Sequence, residues 1–247
     1  IDEEGFTLEL EGQKSRSRKA GKISTDDWVE ITPSSSTTEF VGYDNTTCEC
    51  KILRYRKVEA KNEISYQLVL DQTPFYPEGG GQVGDTGFLI SGSEKTEVID
   101  TKKENNLIIH SVTELPSDAS ATFQAEVDVT NQLASSRNHS ATHLLHEALR
   151  DILGTHVEQK GSLVRPENLR FDFSHFEKVD SEIVQKIEDQ VNEKILSNIP
   201  LDENRNMALD KAKQAGAIML FGEKYGDYVR MIGFGSSKEL CGGIHVP

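Results

Sequence analysis

The stretch "NQLASSRNHSATHLLHEALRDILG", residues 131–154, is where the texture of the chain changes. Its apolar Leu133, Ala141, Leu144, Leu145, Ala148, Leu149 and Ile152 recur at helical spacing, and Gly154 supplies a stop. The pattern predicts one amphipathic helix. That helix carries His139 and His143, and residues four apart on a helix share a face with Cβ atoms roughly 5–6 Å apart. The two imidazoles can therefore grip one small cation.

Upstream of the helix the pattern is short and β-like. "CECKILRY", "ISYQLVLD", "TGFLIS", "TEVIDTKK", "LIIHSV" and "TFQAEVDV" are strand-length runs with β-branched or aromatic residues, separated by turn residues. Their spacing suits a small barrel over residues 37–130. Within it, "TPFYPEGGGQVGDTG" (Thr73–Gly87) is dense in Gly and Pro. Gly79, Gly80 and Gly81 allow positive φ and close backbone approach. Composition alone reads this as a wide hairpin loop.

Residues 1–36 read differently again. "IDEEGFTLELEGQKSRSRKAGK" is helical in pattern, with few apolar residues (Phe6, Leu8, Leu10), and "ITPSSSTTEF" supplies a linker. The abrupt start without methionine suggests a piece of a longer protein.

Downstream, "HVEQKGSLVRPENLRFDFSH" gives two strand-like runs around a Pro turn. "DSEIVQKIEDQVNEKILSN" (Asp180–Asn198) is an amphipathic helix with Ile183, Ile187, Val191 and Ile195 on one face and Asp180 or Ser181 as cap. "NMALDKAKQAGAI" reads as a further helix, and "YVRMIGF" and "KELCGGIHV" as closing strands. Residues 131–247 thus form an α+β layer, and the fold class is α+β: a helical segment, a small β-barrel, then an α+β core.

The bulk numbers narrow the class. The chain has 247 residues and a formal net charge of -14, which argues against wrapping nucleic acid by bulk electrostatics. Basic clusters at 13–22 ("QKSRSRKAGK") and 51–61 ("KILRYRKVEAK") leave room for a local basic groove. No apolar run approaches the ~20 residues that cross a bilayer, and no signal peptide is evident. Three cysteines, Cys48, Cys50 and Cys241, make no disulfide framework; the expectation is a reducing, cytoplasmic setting without a membrane partner.

Cys241 and His245 in "ELCGGIHV" form a second pair four apart, with glycines suited to a tight turn. Zinc takes His nitrogen and Cys thiolate in a tetrahedron, so this pair could complete the set begun by His139 and His143. Either pair alone is weak evidence; both in one chain favour a metal. His146 lies near the site on the helix but pairs less well with His139. A metalloprotease would carry Glu directly after the first histidine, where this chain has Ser140.

Taken in order, "TPFYPEGGGQVGDTG", "RNHSATHLLHEALR", "HVEQKGSLVRPENLRFDFSH" and "GAIMLFGEKYGDYVRMIGFGSSKELCGGIHV" resemble the alanyl-tRNA synthetase family, specifically its editing half. The resemblance covers nearly the whole chain; residues 1–36 are similar to the end of the helical tRNA-recognition domain. It implies a fragment without the ATP- and Mg²⁺-dependent aminoacylation domain upstream and without the oligomerisation region downstream. The reaction it implies is hydrolysis of the ester in tRNA(Ala) mischarged with serine or glycine, because a pocket built for alanine cannot strongly reject either.

By the same resemblance, His139, His143, Cys241 and His245 hold Zn²⁺. Gln159 holds substrate or water, or is an exposed strand-end amide. Thr142 senses the serine hydroxyl, or is a helix-packing threonine. Gly79, Gly80, Gly81 and Gln82 line the way in for the terminal adenosine, and Arg137, Lys160 and Arg170 are candidates for phosphate contacts. The zinc either activates carbonyl or water at an open position, or positions the substrate. One departure from the family pattern is Ile244, where threonine is usual in "CGGTH". Two other readings stay open: an RNA-binding module with a purely structural zinc, and a free-standing editing protein. Threonyl-tRNA synthetases carry a related module but fit the Gly-rich loop and the opening segment less well.

Overall fold

The computed structural model of the protein describes residues 23–32, 37–60, 63–219 and 225–247. The helical reading of the opening segment falls on residues 1–22 and lies outside them. The chain divides into two compact units, one built from residues up to Phe75 together with Thr86–Glu126, the other from Tyr76–Asp85 and Val127–Pro247.

Each strand-like run of the first unit forms a strand. In chain order they are β1 (Ile23–Thr25), β2 (Val29–Glu30), β3 (Glu39–Phe40), β4 (Thr47–Ala60), β5 (Glu63–Leu70), β6 (Gln72–Thr73), β7 (Gly87–Ser91), β8 (Glu94–Glu104), β9 (Leu107–Val112) and β10 (Thr122–Val127). Strands β4, β10, β7, β8, β9 and β5 pair in that order, and β5 returns to β4, closing a six-stranded barrel. Closure leaves the ring no free edge. Buried Ile52, Leu68, Leu70, Leu89, Val98, Val112 and Phe123 fill it. Its lining includes His110, hydrogen-bonded through Nε2 to Thr73 Oγ1 at 2.8 Å and pushed down to about 4 by burial, so neutral. Short β1 and β2, which fall between the segment read as helical and the one read as linker, pair with β4.

The second unit is α+β. It contains α1 (Val129–Leu153), the hairpin β11 (Gln159–Val164) and β12 (Leu169–Phe173), α2 (Ser181–Leu196), β13 (Leu201–Ala208), α3 (Leu209–Gln214), β14 (Tyr228–Phe234) and β15 (Ser237–Leu240). Helix α1 starts at Asp128, whose carboxylate accepts from the Asn131 N–H, and stops at Gly154 with φ 115°. Asp180 caps α2 in the same way through the Ile183 N–H. Ala148, Leu149 and Val157 pack with Ile187, Ile183 and Val191 to hold α1 on α2, whereas Ile195 is half exposed.

Two elements differ from the sequence reading. The helix expected over 206–218 shrinks to Leu209–Gln214, because Met207 and Ala208 pair with Val229 and Tyr228 of β14 across a bulge. The closing strand ends at Leu240; Cys241 to His245 run as a loop, since Gly242 and Gly243 offer no side chains to sustain a pleat. No helix among the described residues is long and apolar enough to cross a membrane.

The Gly-rich loop, read from sequence within the barrel segment, belongs to the second unit. Gly79 and Gln82 exchange backbone hydrogen bonds at 3.1 and 3.0 Å around Gly80 (φ 58°) and Gly81 (φ 85°), a type I′ turn. Past the turn the chain lies along β11: Val164 N–H donates to Gly81 O at 2.7 Å and Val83 N–H to Val164 O at 3.1 Å. A Cβ on Gly81 would stand 2.1 Å from Ser162 Oγ, whereas one on Gly80 would meet nothing within 4 Å. Gly80→Ala should therefore cost only the positive-φ penalty, on the order of 1 kcal/mol, and Gly81→Ala roughly 2–4 kcal/mol. Urea unfolding of the two variants checks the difference.

Candidate metal centre

Helix α1 buries a polar stripe beside its apolar one: Gln132, Ser135, Ser136, His139, Ser140, Thr142, His143 and His146 are all buried. Such a stripe needs partners, because buried polar groups without hydrogen bonds are costly. Ser136, Ser140 and Thr142 donate back to carbonyls of α1 itself, and the histidines find partners on the Gly-rich loop, β15 and the loop after it.

One ligand atom each from His139, His143, Cys241 and His245 lies within 4.8 Å of the others. The Cys241 sulfur stands 3.4 Å from His139 Nε2 and 3.4 Å from His245 Nε2. Metal–ligand bonds of roughly 2.3 Å to sulfur and 2.0–2.1 Å to nitrogen give tetrahedral edges of about 3.5 Å, so the spacing fits a tetrahedral cation. His143 Nε2 is buried without a hydrogen-bond partner, as a nitrogen intended for a metal would be.

The other nitrogen of each ligand imidazole is held. His139 Nδ1 donates to Gln82 Oε1 at 2.7 Å, His143 Nδ1 to Glu239 Oε2 at 2.8 Å, and His245 Nδ1 to Ser140 Oγ at 3.2 Å. Each bond fixes a ring and leaves Nε2 for coordination. Gln82 Oε1 also accepts the Ile244 N–H at 3.0 Å, and Ser140 Oγ accepts the Val246 N–H at 3.1 Å. Arg230 on β14 donates through Nη1 to the carbonyls of Cys241 and Gly243, both at 2.8 Å, while its Nε is paired with Glu203.

The electrostatics follow from burial and proximity. Burial works against a Cys241 thiolate, but the His139 charge and the surrounding imidazoles outweigh it and bring the thiol well below its ordinary range. Burial also disfavours a charged His143, yet the Glu239 carboxylate and the Cys241 sulfur raise it to about 10. Glu239, despite burial, is held at about 2 by His143. His245, with burial dominant, falls to about 3. The site thus keeps its sulfur anionic and His245 neutral, the forms that bind metal, while His143 has to give up its Nε2 proton to coordinate.

A cavity of about 200 Å³ opens beside these ligands, lined by Gly80, Thr142, Gln159, Ser162, Tyr225, Glu239 and Gly242 besides His139, His143 and Cys241. Of the residues expected at the site, Gly80, Thr142 and Gln159 are on its wall. Gln82 is not at the mouth: it is fully buried and serves His139. Arg137 faces a different, mostly apolar groove lined by Leu144, Ile195 and Phe234. Lys160 and Arg170 are exposed and paired with Glu158 and Asp172. In the first unit, Arg54 and Arg56 lie over Trp28 and are paired with Glu30 and Glu104. The 13–22 basic cluster lies outside the described residues.

Sequence reasoning missed Glu239, Arg230, Ser162 and Tyr225. Only Glu239 left a signal, an acid two residues before a cysteine ligand on a strand, hence on the same face.

Comparisons with known proteins give the family of the chain. The family described as tRNA synthetases class II (A) matches residues 1–137. This chain belongs to that family. It is 58% identical over 246 residues to the alanine–tRNA ligase of Parabacteroides distasonis and 58% identical to that of Bacteroides fragilis. To the alanine–tRNA ligase of Porphyromonas gingivalis it is 50% identical over 248 residues. In each case all of this chain is covered but only 28% of the relative.

Two predictions follow from the geometry. A Cβ on Gly243 would stand 2.0 Å from His139 Cε1 and 2.2 Å from its Nδ1. Gly243→Ala should therefore displace His139 and weaken metal uptake at the cluster at least ~10-fold, read by chelator competition, while circular dichroism stays native. The second concerns Asp85, which anchors the Gly-rich loop by accepting from the Tyr76 N–H at 3.0 Å and from Gln132 Nε2 at 2.6 Å, both on Oδ2. Burial raises its carboxyl from 3.8 to about 6 against those bonds. A raised acid favours folding below the unfolded value and loses that contribution as pH rises through about 6, up to ~3 kcal/mol. Asp85→Asn keeps an oxygen for both donors, so its stability relative to the parent should grow between pH 4 and pH 7, measured by urea unfolding.

Proposed function

We propose that this chain is the editing part of an alanyl-tRNA synthetase, a zinc-dependent hydrolase of tRNA(Ala) mischarged with serine or glycine. The observation that carries the reading is the meeting of His139, His143, Cys241 and His245 around one position in the wall of a cavity that also holds Thr142 and Gln159. Membership of the class II synthetase family and identity to alanine–tRNA ligases supply the substrate class. The chain spans 28% of those relatives, so charging of tRNA with ATP and Mg²⁺ belongs to the longer enzyme.

Bound in this set, zinc would supply a fixed positive charge for the ester or the tRNA 3′ end. Four protein ligands complete a tetrahedral set, which favours a positioning role over activation of water at an open site. The discriminating work then falls to the cavity wall. The Thr142 hydroxyl donates its proton to the Asn138 carbonyl at 2.8 Å, so toward the cavity it offers lone pairs only. A serine hydroxyl can donate to them, and an alanine methyl cannot. Gln159 donates to Ser162 Oγ at 3.3 Å, leaving its amide oxygen to orient a water or the substrate amine. Gly80 presents backbone without a side chain, as a nucleoside approaching the cavity requires.

A second reading, an RNA-binding module with a structural zinc, draws support from the same closed ligand set. Incubating the chain with Ser-tRNA(Ala) and Ala-tRNA(Ala), with zinc measured in parallel, separates the two. The editing reading expects selective loss of the serine ester, cut at least ~100-fold in Cys241→Ala with the fold retained. Full zinc occupancy without hydrolysis would favour the structural reading. Thr142→Val should raise hydrolysis of Ala-tRNA(Ala) relative to Ser-tRNA(Ala), by roughly 10-fold for one lost hydrogen bond.

A further inference from the structure

Glu239 stands on β15 two residues before Cys241, so the end of that strand and the loop leaving it deliver the carboxylate and a candidate ligand side by side. The side chain is 4% exposed, and its two oxygens serve two rings: Oε2 accepts from His143 Nδ1 at 2.8 Å and Oε1 from His146 Nδ1 at 2.9 Å. The Nε2 atoms of both histidines are buried without a hydrogen-bond partner. A buried ring nitrogen lacking an acceptor is left bare, because an unpaired N–H costs more than an unpaired lone pair. In the neutral rings that a metal requires, both protons therefore sit on Nδ1. For His143 this leaves Nε2 free to coordinate. His146 offers nothing to the ligand set, and its ring, packed against Phe171 at 5.3 Å, is spent on Glu239.

We propose that Glu239 and His146 are paired positioning residues of the metal centre: Glu239 fixes the ring and tautomer of His143, and His146 fixes Glu239 by occupying its second oxygen. The inference rests on the zinc reading above and extends it to residues that touch neither metal nor substrate. Glutamine at 239 has one acceptor oxygen and one NH₂ group to face two N–H donors. The conflict is relieved either by turning a ring or by moving the Nδ1 proton to Nε2, and at His143 either change opposes coordination.

The test is zinc affinity of the whole chain by chelator competition, with cobalt(II) spectra to report ligand geometry and thermal unfolding to report the fold. Glu239→Gln should bind zinc roughly 10–100-fold more weakly than the parent while remaining folded. His146→Leu added to Glu239→Gln removes the competing donor, lets the amide oxygen turn to His143, and should recover most of that loss. A residue that merely filled space would not be rescued by a second substitution that alters packing. His146→Gln, which keeps a donor for Glu239, should bind zinc more tightly than His146→Leu. Glu239→Gln within about threefold of the parent, or a double variant no tighter than Glu239→Gln, would overturn the inference while leaving the zinc reading intact. A parent chain that takes up no zinc would overturn both.

Discussion

One amide oxygen joins the parts of the second unit that make its site. Gln82 Oε1 accepts from His139 on α1 and from the backbone of Ile244 in the ligand loop, and Gln82 itself is delivered by the Gly-rich turn. The turn must be tight, since Gly79 and Gln82 bond to each other, and Gly81 must lack a side chain to lie against Ser162. Asp85 then ties the far end of the same ten-residue excursion to Gln132 on α1. A glycine run that composition alone reads as a loop is thus a bracket between helix and ligand loop.

The remainder of the centre is organised so that no ligand depends on its own backbone alone. Ser140 turns His245, Glu239 turns His143, and Arg230 clamps the carbonyls of Cys241 and Gly243. A buried polar stripe of this size on α1 would weigh against folding if its members were unpaired. Here most are paired, and the nitrogen of His143 that is not paired faces its fellow ligands. A cation bound there would link binding to stability through that one atom set.

How much of this was legible in the sequence depends on range. The helices at 131–153 and 181–196 announce themselves through local period and caps, and the six barrel strands through alternation and turns. The pairs His139–His143 and Cys241–His245 are visible as spacings. Their meeting is a long-range fact, and so are the bonds that hold them: His143 to Glu239 spans 96 residues and Gln82 to Ile244 spans 162. Local pattern carries no information about such contacts. The short strands β1 and β2 were invisible for the opposite reason, being too brief to show a period and formed only by pairing with the long strand β4. Met207 and Ala208 have helix propensity, yet pairing with β14 overrides it.

The placement of the ligands along the chain has a consequence for assembly in time. The two histidines on α1 exist as a pair as soon as that helix winds, but Cys241 arrives 102 residues after His139. Closing so long a loop is an entropic cost that only β13–β14–β15 pairing can offset in advance. During synthesis the chain therefore presents only two of the four candidate ligands until Cys241 and His245 have been made. An ion held by all four residues would mark that α1 and the loop after β15 have found each other.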